Sequence, residues 1–219
     1  MTKTGEAARP QLDDSAESVM EWVQAHGRQL GIGAIVVVAL AAGSWVVSRS
    51  NATKAAGASR ALNEAQRSVA SGNLPLAVAD LQKVVARYGS TPAGTQAKLL
   101  LAQVQFQQGK LPDGMKVLDE IGGSAGAMQA SYHALRAAGL EQSGKAAEAA
   151  EEYLKASTSS ALPSEREGYK ADAARAYVAA GNKTEALKLW QAMADDQASP
   201  LNSEARLRVG ELSASVAAR

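Results

Sequence analysis

No cysteine occurs among the 219 residues. Disulfides, zinc–thiolate sites and thiol nucleophiles are therefore excluded. Histidine is nearly absent too. His26 and His133 are the only two, far apart in the chain, and neither has a second ligand at metal spacing. Both read as structural or surface residues. Aromatics are scarce, with one Phe and three Trp. An alanine-rich chain with few rings points to helices that pack closely on small residues, hence to an all-α fold. A strong charge imbalance is also missing. The net charge is +1, with residues 1–48 at −2 and residues 49–219 at +3. Neither part is basic enough to make nucleic-acid binding a main task.

Motifs that carry chemistry are missing as well. The GGSAG run at 122–126 lacks the Lys-Ser/Thr and the preceding strand of a phosphate loop, so it reads as a turn. No serine sits in a nucleophile-elbow pattern. The acidic pairs Glu151-Glu152 and Asp195-Asp196 read as solvated helix surfaces or ends. Asn51-Ala52-Thr53 and Asn182-Lys183-Thr184 match the glycosylation sequon, a motif met often by chance. The expectation is a protein that is not an enzyme, with no cofactor, metal or small-molecule substrate.

What is present begins with one apolar run. No charge falls between Arg28 and Arg49, which leaves 20 residues, Gln29 to Ser48. A helix of that length is about 30 Å long, close to the hydrocarbon thickness of a bilayer. Leu30 to Val47 is apolar on every side, with Trp22 and Trp45 near its two ends and Arg28 and Arg49 placed to reach the surfaces. The run is longer than the apolar part of a cleaved signal peptide and is preceded by acidic residues, so it reads as an uncleaved anchor. Residues 1–13 read as a disordered tail. Residues 14–28 read as a juxtamembrane amphipathic helix opened by Asp14 and Glu17, with Gly27 ending or bending it, or else as an extension of the span. Residues 29–48 form the predicted transmembrane helix. Residues 51–60 read either as a flexible neck or as part of one long first helix. Gly27/Gly31 and Ala39/Gly43 are small-residue pairs able to pack against another membrane helix.

Residues 49–219 repeat. Gly72, Gly109, Gly144 and Gly181 lie 37, 35 and 37 residues apart. Seven before each stands alanine: Ala65, Ala102, Ala137 and Ala174. Five after each stands a small residue: Ala77, Gly114, Ala149 and Ala186. Nine after come Leu81, Leu118, Tyr153 and Trp190, and twelve after come Val84, Ile121, Ala156 and Met193. Glycine suits a helix that must stop and reverse, and small residues on both sides let two antiparallel helices approach. This is the helix–turn–helix unit of a tetratricopeptide array, which stacks because one unit cannot bury its own apolar face.

The spacing predicts about four helix pairs: 55–71 with 74–88, 93–108 with 111–121, 125–143 with 145–157, and 165–180 with 183–195. A capping helix opens at Ser199-Pro200 and runs toward Ala217. The fold expected is therefore all-α, a single transmembrane helix followed by a tetratricopeptide-repeat-like α-solenoid. Such arrays bind polypeptides on their first helices. Counting from the turn glycines, the peptide-groove candidates are Gln103, Phe106, Gln107, Glu141, Gln142, Arg175 and Val178.

The stretch Trp22 to Leu62, with its EWVQAHG approach and single span, and ALRAAGLEQSGKAAEA at 134–149 resemble the bacterial ancillary SecYEG translocon subunit family. The resemblance implies an inner-membrane protein with a cytoplasmic N-terminus and a periplasmic domain. It implies partners in the SecYEG channel, periplasmic chaperones and emerging secreted polypeptides. Positive charge near the span argues the other way on orientation. Arg28 alone precedes it, while Arg49, Lys54, Arg60 and Arg67 follow. Two other readings stay open: a scaffold of another envelope complex, for division or outer-membrane assembly, and a cytoplasmic-facing regulatory anchor.

Overall fold

The computed structural model describes the backbone of residues 13–217 and the side chains of residues 40–214. Helices make up nearly all of it, with no strand among the described residues. The helices are α1 (Asp13–Ala70), α2 (Leu74–Tyr88), α3 (Pro92–Gln107), α4 (Leu111–Asp119), α5 (Gln129–Gln142), α6 (Ala146–Ser159), α7 (Pro163–Ala179), α8 (Lys183–Asp195) and α9 (Asn202–Ala217). A single 3-10 turn, Gly126–Met128, precedes α5. The chain divides into two units, residues 1–53 and 54–219.

Helix α1 runs without a stop at Gly27 in the first unit, and the segment 51–60, where the two units meet in sequence, is helical rather than a loose neck. No helix among the described residues is long and apolar enough to cross a membrane. The predicted tail, the face of residues 14–28 and residues 29–39 of the predicted span lie outside the described side chains. Residues 40–56 are solvent-facing. Leu40, Trp45, Val46 and Val47 are 68%, 63%, 58% and 59% exposed.

The second unit is the repeat array. All four turn glycines have positive φ: 73° at Gly72 and Gly109, 76° at Gly144 and 81° at Gly181. At three of them the chain closes a Schellman turn. Lys110 N–H donates to Gln105 O at 2.8 Å, Lys145 N–H to Leu140 O at 2.9 Å, and Asn182 N–H to Tyr177 O at 2.8 Å. These bonds satisfy helix-end carbonyls that would otherwise lack donors. Two helix starts carry side-chain caps, while Asn182 at the start of α8 makes none. Asn73 Oδ1 accepts from Leu76 N–H, and Thr91 Oγ1 accepts from Gly94 N–H with Pro92 just inside α3.

The turn glycines are exposed, and the four columns framed by them are buried. Ala65, Ala102, Ala137 and Ala174 have no exposed surface, nor do Ala77, Ala149 and Ala186. The large column, Leu81, Leu118, Tyr153 and Trp190, fills the space between neighbouring pairs. The core is a chain of local clusters. One joins Leu62 and Leu81 to Leu101, the next joins Leu99 and Leu118 to Tyr132, and the third runs from Leu140 through Trp190 to Leu212. Neighbour-only packing of this kind is how a solenoid is stabilised.

The last helix differs from expectation. Pro200 and Leu201 lie in a turn, and α9 starts at Asn202. Ser199 does not cap α9. Its Oγ accepts from Leu201 N–H at 3.3 Å and donates to Glu167 Oε2 at 3.2 Å. The Asn202 amide instead donates back to Ala194 O at 2.6 Å and Asp196 O at 3.0 Å, closing the end of α8. Covering those free carbonyls outweighs the proline-at-first-turn signal.

Candidate functional site

The first helices of the pairs are the final residues of α1 (from Lys54), then α3, α5 and α7. Their outward faces carry the groove candidates. Gln103 and Gln107 are exposed on α3, and Gln142 is exposed on α5. These two helices touch, so the structure brings the three amides onto neighbouring helices.

Phe106 is not a groove residue. Its side chain is 7% exposed and belongs to the core. The reason lies in two glycines. A Cβ on Gly114 would stand 2.4 Å from the Phe106 ring, and one on Gly139 would stand 2.7 Å from its tip. The ring occupies the volume that alanine takes in the other repeats. Gly114, the one glycine in its column, and Phe106 thus compensate each other. That pairing could be read in the sequence only by asking why one repeat lacks the column's alanine.

The remaining candidates are tied to neighbouring helices. Glu141 is exposed, and its Oε2 accepts from the Tyr153 hydroxyl at 2.9 Å. Burial and this carboxylate together push the Tyr153 phenol well up. Arg175 spans α7 and α9. It donates to Asp172 Oδ1 at 2.7 Å and Glu204 Oε1 at 2.9 Å, and its guanidinium lies 5.6 Å from the Trp190 ring centre. Val178 is 39% exposed and, with Arg175, Trp190 and Leu212, lines a cleft of ≈ 180 Å³. Arg175 and Val178 therefore sit apart from the α3 and α5 amides.

A polar cluster between α5 and α6 escaped the sequence reading. Glu152, expected on a solvated face with Glu151, is 9% exposed. Its carboxylate is 2.7 Å from His133 Nδ1 and accepts from Lys155 Nζ at 2.8 Å, with Arg136 Nε 3.8 Å away. Arg136 also pairs with Asp119 at the end of α4. The other nitrogen of His133 lies 2.9 Å from the Gln129 amide, and Tyr132 meets the imidazole edge-on. Exposed Glu151 accepts from the Tyr177 hydroxyl at 2.5 Å. That phenol is pushed up to about 12 by burial and by this carboxylate. Among the described residues no group of three acidic or imidazole side chains could hold a metal ion.

Burial works against ionising Glu152, yet the Lys155 ammonium and His133 outweigh it and hold the carboxyl below its usual range. A depressed folded pKa contributes stability that is complete above the unfolded value, about 4.3, and is lost as pH falls through the folded one. Glu152→Gln is therefore expected to lose roughly 1–3 kcal/mol at pH 7. The gap to the native protein should stay constant down to about pH 5 and narrow below about pH 4. Urea melts at three pH values check this; a gap that widens in acid would contradict it.

The family model for the tetratricopeptide repeat-like domain matches residues 20–210. The chain belongs to that family. Crystal structures of nearly identical TPR-like repeats, named for a kinesin light chain of Podosopora anserina, are similar in fold. One superposes with a TM-score of 0.57 at 20% identity, covering 73% of this chain and 87% of its own. A single-substitution form of it gives 0.58 at 20% identity, covering 73% and 86%. At that identity the likeness concerns the fold alone. No curated protein matches in sequence. The fold is that of a protein-interaction scaffold.

Proposed function

We propose that the protein is a membrane-anchored interaction adaptor at the SecYEG export channel, whose array receives periplasmic chaperones or emerging secreted polypeptides without a catalytic step. The observation that carries the membrane part is the run Leu40 to Val47. Four large apolar side chains there are each more than half exposed. They continue a charge-free stretch that begins at Gln29. A surface of that kind is costly in water and favourable in lipid. Arg49 lies 5.6 Å from the Trp45 ring centre, a pair suited to the headgroup level. The channel itself and the periplasmic side rest on the family resemblance.

A photo-crosslinker at position 45 of the full chain, in membranes, tests the reading. Adducts with the SecY channel are expected. Recovery of a different envelope complex would replace the reading with a scaffold elsewhere. The excess of Arg49, Lys54, Arg60 and Arg67 over Arg28 supports a second reading, a cytoplasmic-facing anchor. A C-terminal reporter active only in the periplasm separates the two. Activity is expected; silence of that reporter alongside a working cytoplasmic one would favour the second.

A further inference from the structure

Charge is distributed unevenly over the array. The second helices expose charged side chains at every repeat, among them Arg87, Lys116, Glu148 and Lys188. The first helices expose charges too, among them Arg60, Glu64, Arg67 and Glu141, but carry one stripe of positions without any. On α3 the outward positions are 96, 100, 103 and 107. At about 100° per residue, these four fall within about 60° of the helix circumference. The equivalent positions, one repeat away on either side, are 59, 63, 66 and 70 on α1 and 131, 135, 138 and 142 on α5. None of the twelve residues is charged, in a chain that is 21% charged, and none is fully buried.

Six of the twelve are side-chain amides: Asn63, Gln66, Gln96, Gln103, Gln107 and Gln142. None of these amides is engaged by another group of the chain among the described residues. The others are serine, alanine or leucine, short or half-buried, so nothing bulky stands between the amides. At α7 the stripe ends. The equivalent positions there include Asp172 and Arg175, which pair with each other at 2.7 Å.

We infer that this stripe binds an extended, uncharged polypeptide segment through its main chain, in a manner largely independent of sequence. A primary amide offers a donor and an acceptor side by side, as a peptide group does. An extended strand leaves its N–H and C=O groups unpaired and open to such partners. Gln103 and Gln107 are separated by about 6 Å of helix rise, close to the two-residue repeat of an extended chain, about 6.6 Å. Charged segments are disfavoured at α3, whose one charged residue, Lys98, lies on the opposite side of the helix and offers no counter-charge to offset their desolvation. An amphipathic helix lacks both free backbone groups and an apolar seat here, since Leu100 and Leu135 are the only large apolar residues on the stripe. Nucleic acid would need cations that are absent from it.

The inference deepens the adaptor reading by naming the ligand class, and its test stands apart from the channel. The full chain in nanodiscs is titrated against a fluorescein-labelled 14-residue peptide of Ser, Thr, Ala, Val and Gln, read by anisotropy. The peptide and a scrambled version should bind within about twofold of each other. A version N-methylated at alternate residues should bind about tenfold more weakly, as should a version with Lys and Asp at every third position. The Gln103→Ala/Gln107→Ala double variant should lose about tenfold with unchanged thermal melting. Equal binding of the N-methylated peptide, loss on scrambling, or full binding by the double variant would each overturn the inference. Failure of the position-45 crosslink with these peptide results intact would remove the channel assignment only.

Discussion

Trp190→Ala is expected to destabilise the array by about 3–5 kcal/mol. Trp190 is 1% exposed and sits where α7, α8 and α9 meet, with Leu212 and Tyr177 in the same cluster. Truncation leaves a ring-sized void that alanine neighbours cannot fill, since short side chains do not reach. It also removes the surface on which the Arg175 guanidinium rests. In a solenoid the damage should be regional, because each unit depends on its neighbours. Hydrogen exchange should show α7 to α9 losing protection first, with α2 and α3 little changed. A melting midpoint lower by roughly 10 °C is the corresponding bulk signal. Uniform loss of protection along the chain would count against the nearest-neighbour description.

Gly94→Ala provides a test of sign. Helix propensity alone favours alanine over glycine by about 1 kcal/mol. The structure predicts the reverse, a loss of roughly 3 kcal/mol. A Cβ at Gly94 would stand 1.9 Å from Tyr88 O, 2.5 Å from Tyr88 C and 2.8 Å from Gly89 Cα. All three are backbone atoms, so no rotamer change relieves the overlap. The end of α2 would have to separate from the start of α3, weakening the Thr91 cap as it does. Chemical denaturation of the variant decides between the two signs, and a gain in stability would refute the close α2–α3 approach.

These two positions show how unevenly the fold could be read beforehand. Trp190 was legible, because its column recurs nine residues after each turn glycine and its burial follows from the repeat. The positive φ of Gly72, Gly109, Gly144 and Gly181 was legible for the same reason. Gly94 was not, since it stands outside the framed columns and its role depends on where the preceding helix ends. Phe106 was misplaced because counting from the glycine gives a face, while its actual direction is set by the space over Gly114 and Gly139. Glu152 was taken as solvated because acidic pairs usually are. Only the approach of His133 and Lys155 from two helices makes its burial tolerable. The start of α9 was misread because two local capping signals competed, and the carbonyls at the end of α8 decided between them. Local patterns that recur in every unit survive into the structure. Those that depend on a single contact between units do not show in the sequence.

The candidate site divides in the same way. Gln103, Gln107 and Gln142 were found by position alone. Their meaning came from exposure and from the uncharged stripe they share across neighbouring helices, which a linear reading does not display. Arg175 was placed on the right helix, but its hydrogen bonds to Asp172 and Glu204 make it a strut between α7 and α9.

In-cell photo-crosslinking from position 103 of the full chain, with position 188 on the charged face of α8 as reference, tests the central claim most directly. An adaptor that receives emerging chains through the amide stripe predicts a broad set of secreted polypeptides captured from 103 and few from 188, with the SecY channel co-recovered. Equal capture from both positions, or one discrete partner of fixed size at 103 with no secreted chains, would contradict it.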